Sequence, residues 1–184
     1  MAKGSGGTKS VGSKTAAMSR TTTVDKNVEM FITRAEAQGF TLDSAQKAEI
    51  LRGTTFMPDK LTKEQDDALY FYTDEGYGDI ANHPTRKDIK EKIAIIDSAF
   101  KPADKDYYLY RGHRTGKDTN KGYTSLTSDP SKAADFANYS AGGTVSLLRI
   151  PKGTPIIKYG GTEKEIILPR GTNIKRFRIA YYVK

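Results

Sequence analysis

Thr144-Val-Ser-Leu-Leu-Arg-Ile150, Pro151-Lys-Gly153, Thr154-Pro-Ile-Ile-Lys158-Tyr-Gly160-Gly-Thr, then Glu163-Lys-Glu165-Ile-Ile-Leu168-Pro-Arg-Gly171 is the stretch that decides the fold. Short runs of Ile, Val and Leu alternate with Gly and Pro clusters, which is the pattern of strands joined by tight turns. The same texture begins at Asp106–Arg111 (Asp-Tyr-Tyr-Leu-Tyr-Arg) and continues over Asn173–Val183. One helix interrupts it. Asp129 suits its N-cap, Pro130 its first turn, and Ala133, Phe136 and Ala137 its apolar face.

Upstream the period changes. Val28, Phe31, Ile32 and Ala35 recur at helical spacing and Gly39 ends that run. Thr62 and Gln65 form a capping-box pattern before Ala68, Leu69 and Tyr72. Pro84-Thr85 with Asp88 opens a further helix with Ile89, Ile93, Ile96 and Phe100 on one face. Tyr72–Asn82, with Gly76 and Gly78, reads as a turn-rich link between the two, and Pro102 closes the helical half. Helices first and strands after predict an α+β fold rather than a doubly wound sheet. The expected division is a basic tail over 1–24 and one domain over 25–184, helical over 25–100 and mainly β over 101–184.

The chain has 184 residues and a formal charge of +8. Lys3, Lys9, Lys14 and Arg20 place half of that charge in the first 24 residues, which contain no acid. That tail of Gly, Ser, Thr and Lys has too little apolar surface to offset its ordering entropy, so it reads as disordered. It lacks the apolar core of a secretory signal, which points to a cytoplasmic site of action, in the cell that makes it or in a host. Gly7–Thr15 nearly spells a phosphate-binding loop, but Ser13 stands where the lysine belongs and no strand precedes it. No run of about 18 apolar residues exists, so no membrane span is expected. With no cysteine and only His83 and His113, the chemistry is expected to need neither thiol nor metal.

Three places can carry chemistry. Arg111 ends a strand beside Gly112, where a guanidinium can fork onto a phosphate or simply reach solvent. Gly122-Tyr-Thr-Ser125-Leu-Thr127-Ser-Asp129 offers hydroxyls that could hold a ribose or carboxylate, or serve as turn and cap residues. Glu163 and Glu165, at i and i+2 of a strand, would share a face roughly 6.5–7 Å apart. Such a carboxylate pair suits a reaction through an oxocarbenium-like transition state; equally it could be an acidic strand edge that deters aggregation.

In this order, Tyr110-Arg111-Gly112, Tyr123-Thr-Ser125 and Glu163-Lys-Glu165 resemble the R-S-E class of arginine-specific mono-ADP-ribosyltransferases, which includes bacterial toxins and phage enzymes. Tyr72-Thr73 with Ile80-Ala-Asn82 is similar to a further segment of that family, as is Asp129-Pro130 with Ala134, Phe136 and Ala137. The resemblance covers about 65–184. It implies a split β-core of two packed sheets with NAD across the cleft and helices around, and no metal. It implies that Arg111, with Gly112, faces the phosphates of NAD as substrate, that Ser125 supports the catalytic glutamate and borders the nicotinamide site, and that Thr127 also contacts NAD. Glu165 would bind the nicotinamide ribose and stabilise the oxocarbenium ion, and Glu163 would mark arginine as acceptor. The family's Ser-Thr-Ser appears here as Ser125-Leu126-Thr127, which leaves open which hydroxyl, Ser128 included, supports Glu165. Tyr72 or Tyr77 could line the cleft.

The expected activity is transfer of ADP-ribose from NAD to arginine on a target protein, by a monomer. Two alternatives stand beside it. One is an NAD glycohydrolase with the same site. The other is a non-enzymatic basic module that contacts nucleic acid or a ribosome through the tail and Lys175–Arg178.

Overall fold

The computed structural model describes residues 28–114, 121–138, 141–160 and 164–183. The readings made for the basic tail, for the loop-like Gly7–Thr15 and for Glu163 lie outside the described residues.

Helix α1 runs over residues 28–37 and ends where Gly39, at φ +89, turns the chain. Its successor α2 (Ser44–Arg52) begins on a complete capping box between Asp43 and Gln46. The capping box of Thr62 and Gln65 opens α3 (Lys63–Phe71) as the sequence predicts. A π-helical turn (Tyr72–Gly76) and α4 (Tyr77–Asn82) follow without a break. The turn-rich link is therefore a correction: the chain stays helical from Lys63 to Asn82. Gly76 is a glycine for packing rather than for turning, since a Cβ there would lie 2.1 Å from the Phe71 ring. In α5 (Lys87–Asp97) the N-cap is Arg86, and Asp88 serves as that arginine's ion-pair partner rather than completing a cap with Thr85.

Strands β1 (Lys101–Pro102), β2 (Tyr107–His113), β3 (Thr124–Thr127), β4 (Thr144–Ile150), β5 (Pro155–Tyr159), β6 (Glu165–Leu168) and β7 (Arg178–Val183) form one antiparallel sheet. The order is β1-β5-β6-β3-β2-β4-β7. Helix α6 (Pro130–Ala137) crosses between β3 and β4, with Asp129 as N-cap and Pro130 in its first turn. Asn173–Val183 divides: Ile174–Phe177 is a 3-10 turn capped by Asn173, and only the remainder is strand. Lys175–Phe177, expected as strand, is therefore helical and only Arg178 of the basic cluster lies on β7, while Arg176 lies over the Phe177 ring at 4.5 Å.

The α+β class stands, and the expected split between two sheets takes a particular form. Strands β2 and β3 pair only at Tyr110↔Thr127, whereas β2 and β4 pair along seven residues. A pinch thus separates β2-β4-β7 from β3-β6-β5. Each half has its own helical cover on one face of the sheet, and the alternate residues on the other face form a shared cluster. Phe31 and Ala35 of α1 and Ala133 and Ala137 of α6 pack on Tyr108, Tyr110 and Leu147. On the other half, Leu69, Ile80, Ile89 and Ile93 of α3–α5 cover Ile157 and Ile167. A third cluster joins the halves, with Leu109, Leu148 and Ile150 against Leu126, Ile166 and Leu168.

Candidate active site

The junction brings the three sequence motifs together. One row of paired residues crosses four strands there: Tyr110 on β2, Thr127 on β3, Glu165 on β6 and Tyr159 on β5. Residues directly opposite on antiparallel strands hold their Cβ atoms about 4.5–5.5 Å apart, so Thr127 and Glu165 are side-chain neighbours. Ser125 lies one pair further along the same face, opposite Ile167. Leu126 points the other way into the joining cluster with Ile166. A hydroxyl at 126 would be buried among aliphatic side chains, which accounts for the departure at the middle of the serine motif.

Arg111 follows Tyr110 and reaches across the pinch. Its Nη1 donates to the Ser125 carbonyl at 2.9 Å, while its Nε is buried with no hydrogen-bond partner. A guanidinium carries five donors, so this one has donors left for an anion. Across β2 and β4, Arg111 pairs with Ser146, whose side chain is fully buried and whose Oγ has no hydrogen-bond partner. Ser146 is the residue that sequence reasoning missed. A serine set between Val145 and Leu147 in a run of aliphatic residues was the available signal.

The Ser125 Oγ shares a hydrogen bond of 3.1 Å with the Tyr72 hydroxyl. The π-helical turn sets this contact up, delivering Tyr72 from the helical run to β3. The Tyr72 ring packs edge-on to Tyr123, 5.3 Å between centroids. Burial raises the Tyr72 pKa; the Ser125 bond and the Arg111 charge oppose that, and the Glu165 charge adds to it. Tyr72 thus lies in the electrostatic field of both charged residues. Tyr77 is exposed, whereas Tyr72 is buried and bonds Ser125.

The Thr127 Oγ1 accepts from the Asp129 backbone N–H at 3.1 Å, which ties the end of β3 to the start of α6. Gly112 lies beneath α6: a Cβ there would sit 1.7 Å from the Ala133 carbonyl oxygen. Lys164, immediately before Glu165, has φ +49, a left-handed conformation that costs a non-glycine residue about 1–2 kcal/mol. No group of three or more His, Cys, Asp or Glu side chains that could hold a metal occurs among the described residues. Nor is any helix among them long and apolar enough to cross a membrane.

Removing the Tyr72 hydroxyl tests its hold on Ser125. Tyr72→Phe keeps the ring against Tyr123 and leaves the serine without its partner, at an expected cost of about 1 kcal/mol. In a chain of this size that is a Tm lower by about 2–4 °C, measurable by circular dichroism.

No protein family matches the chain, and no curated protein sequence is similar to it. Solved structures are similar in fold. Exoenzyme S from Pseudomonas aeruginosa, solved in complex with human 14-3-3 protein beta and bound to carba-NAD, aligns with a TM-score of 0.51 at 21% identity. The alignment covers 61% of this chain and 64% of Exoenzyme S. Plx2a, an ADP-ribosyltransferase toxin from Paenibacillus larvae, aligns with a TM-score of 0.48 at 16% identity, over 82% of this chain and 83% of its own. The enzymatic component C2-I of the C2-toxin from Clostridium botulinum gives 0.47 at 20% identity over 60% of this chain. The chain spans only 36% of the C2-I length. The likeness to Exoenzyme S establishes a shared fold.

Proposed function

We propose that the chain is an NAD-dependent mono-ADP-ribosyltransferase that moves ADP-ribose to arginine side chains of a target protein and releases nicotinamide. The observation that carries this reading is the convergence of Arg111, Ser125 and Glu165 at the pinch of the sheet, each delivered by a different strand. The fold supports it, because Exoenzyme S shares the architecture and was solved bound to carba-NAD.

The residues fit the substrate. Arg111 has an unpartnered buried Nε to offer a diphosphate, and Ser146 places an unpartnered hydroxyl beside it in register. NAD, when bound, supplies a ribosyl group whose bond to nicotinamide is ready to break. As that bond lengthens, positive charge builds on the ribose, and the Glu165 carboxylate stabilises it. Thr127, directly opposite, is the hydroxyl placed to orient Glu165, while Ser125, held by Tyr72, borders the nicotinamide side. This reading assigns Gly112 the space that lets α6 approach β2 and keep Arg111 in place.

Glu163 precedes Glu165 by two residues and is the proposed acceptor-side carboxylate. Arginine is protonated below a pKa of about 12, so it needs a carboxylate to hold it and to take its proton as the C–N bond forms. The test uses NAD labelled in the ADP-ribose half and an arginine-containing acceptor, with nicotinamide release and acceptor labelling followed together. Both are expected from the wild-type chain. Glu163→Ala is expected to lower acceptor labelling about 100-fold while nicotinamide release to water stays within about threefold, the scale of one acid–base group. Nicotinamide release by the wild type with no labelled acceptor would make the chain an NAD glycohydrolase. No nicotinamide release at all would overturn the enzymatic reading and favour a binding module.

A further inference from the structure

The chain is basic overall, yet the helical run 63–82 is strongly acidic. It holds one cation, Lys63, against Glu64, Asp66, Asp67, Asp74, Glu75 and Asp79, a net −5 in a chain of +8. Ion pairs engage two of those acids, Lys63–Asp67 at 2.6 Å and Arg86–Asp79 at 3.1 Å. Glu64, Asp74 and Glu75 are exposed and have no ion-pair partner among the described residues. Two large aromatic side chains lie open between these carboxylates, Tyr70 at 63% and Tyr77 at 69% exposure. Tyrosines so exposed are enriched at protein interfaces, where the ring buries and the hydroxyl stays satisfied.

This face is continuous with the candidate active site. Tyr159, the cross-strand neighbour of Glu165, packs against the cluster of α3–α5 that holds Leu69 and Tyr72. Burial raises its pKa, and the nearby Asp66, Glu165 and Tyr70 add to that. A strip therefore runs from Glu165 through Tyr159 to Asp66 and Tyr70, and on along the helix to Asp74 and Tyr77. Guanidinium groups stack on tyrosine faces and fork onto carboxylates, so alternating Tyr and Asp or Glu suits an arginine-bearing segment.

We propose that the exposed face of 63–82 docks a basic segment of the acceptor protein and delivers one of its arginines to Glu165. The proposal rests on the reading of the chain as an arginine-directed ADP-ribosyltransferase and names the class of target, a basic surface rather than a free guanidine. Charge complementarity selects that occupant: the run 63–82 carries a net −5, whereas the rest of the chain is net cationic.

The test separates docking from chemistry. Docking is read without NAD, as fluorescence anisotropy of a labelled peptide with one arginine flanked by lysines, against the same peptide flanked by glutamates. The full-length chain is expected to bind the lysine-flanked peptide about tenfold more tightly, with a preference that falls as salt rises from about 0.05 to 0.5 M. The double variant Asp74→Lys/Glu75→Lys and the single variant Tyr70→Ser are each expected to lose most of that preference. Nicotinamide release from NAD by both should stay at the wild-type rate, which also shows that they fold. Equal binding of the two peptides, or a preference that survives both variants, would overturn the proposal whatever the chain does with NAD. Nicotinamide release lost in the wild type, with docking intact, would instead fault the enzymatic reading. A further full-length variant with Lys3, Lys9, Lys14 and Arg20 changed to Gln should bind the basic peptide as the wild type does. A gain of about fivefold or more would assign the face to the chain's own tail, released by loss of its charges, and overturn docking in trans.

Discussion

Glu165→Gln is expected to lower nicotinamide release from NAD about 1,000-fold with little change in stability. The substitution keeps the size and hydrogen-bonding reach of the side chain and removes only its charge. A unit charge about 4 Å from a developing cation, at an effective dielectric near 20, contributes about 4 kcal/mol, which is about three orders of magnitude in rate. Glu165 is half-buried at the first position of β6, where the backbone pairs with Thr127 and Tyr159 do not depend on its charge. The Tm by circular dichroism should therefore stay within about 2–4 °C of wild type, the shift that 1 kcal/mol produces in a domain of this size. A rate loss under about tenfold would show that the carboxylate does not face the reacting ribose, and would remove Glu165 from the mechanism.

The largest effect on folding is expected from Gly112→Ala. The new methyl would fall 1.7 Å from the Ala133 carbonyl oxygen and 2.6 Å from its carbon. These are backbone atoms of α6, so no rotamer change relieves the clash and the helix must move off β2. Overpacking that forces backbone shifts costs about 3 kcal/mol at the upper end of its usual range, and the expected Tm loss is about 6–12 °C. Gly78→Ala is the matched control, because a Cβ at Gly78 meets nothing within 4 Å. Within α4 that change should stabilise by about 0.5–1 kcal/mol. A thermal melt of the two variants beside wild type checks both signs. Gly112→Ala melting like wild type would mean that α6 is not seated on β2 as described.

Local chemistry made much of this architecture readable. The Thr62–Gln65 capping box, the Asp129-Pro130 start of α6 and the aliphatic run Thr144–Ile150 each depend on neighbours a few residues away, and each occurs where the sequence places it. What escaped depends on distant partners. Thr124–Thr127 looks like a cap-rich loop because Thr and Ser suit both, and it is a strand because Glu165–Leu168 pairs with it. Gly76 reads as a turn residue because the Phe71 ring that needs its space comes alongside only at π-helical spacing. The site divides in the same way. Arg111, Ser125 and Glu165 announce themselves by type and order, whereas the Tyr72 link to Ser125 and the place of Ser146 beside Arg111 are products of register and packing.

The single pair Tyr110↔Thr127 has a mechanical meaning. Arg111 belongs to one cored half of the molecule, Ser125 and Glu165 to the other, and the bond from Arg111 to the Ser125 carbonyl acts as a clasp between them. Each half has its own helices and the joining cluster of Leu109, Leu148, Leu126 and Ile166 holds the two together, so this seam sets the fine alignment of the site residues. A ligand that touches both Arg111 and Glu165 would act as a second clasp, tightening the parts into register as it binds. Damage at the seam would accordingly surface as misaligned chemistry in a molecule that still melts as a folded one.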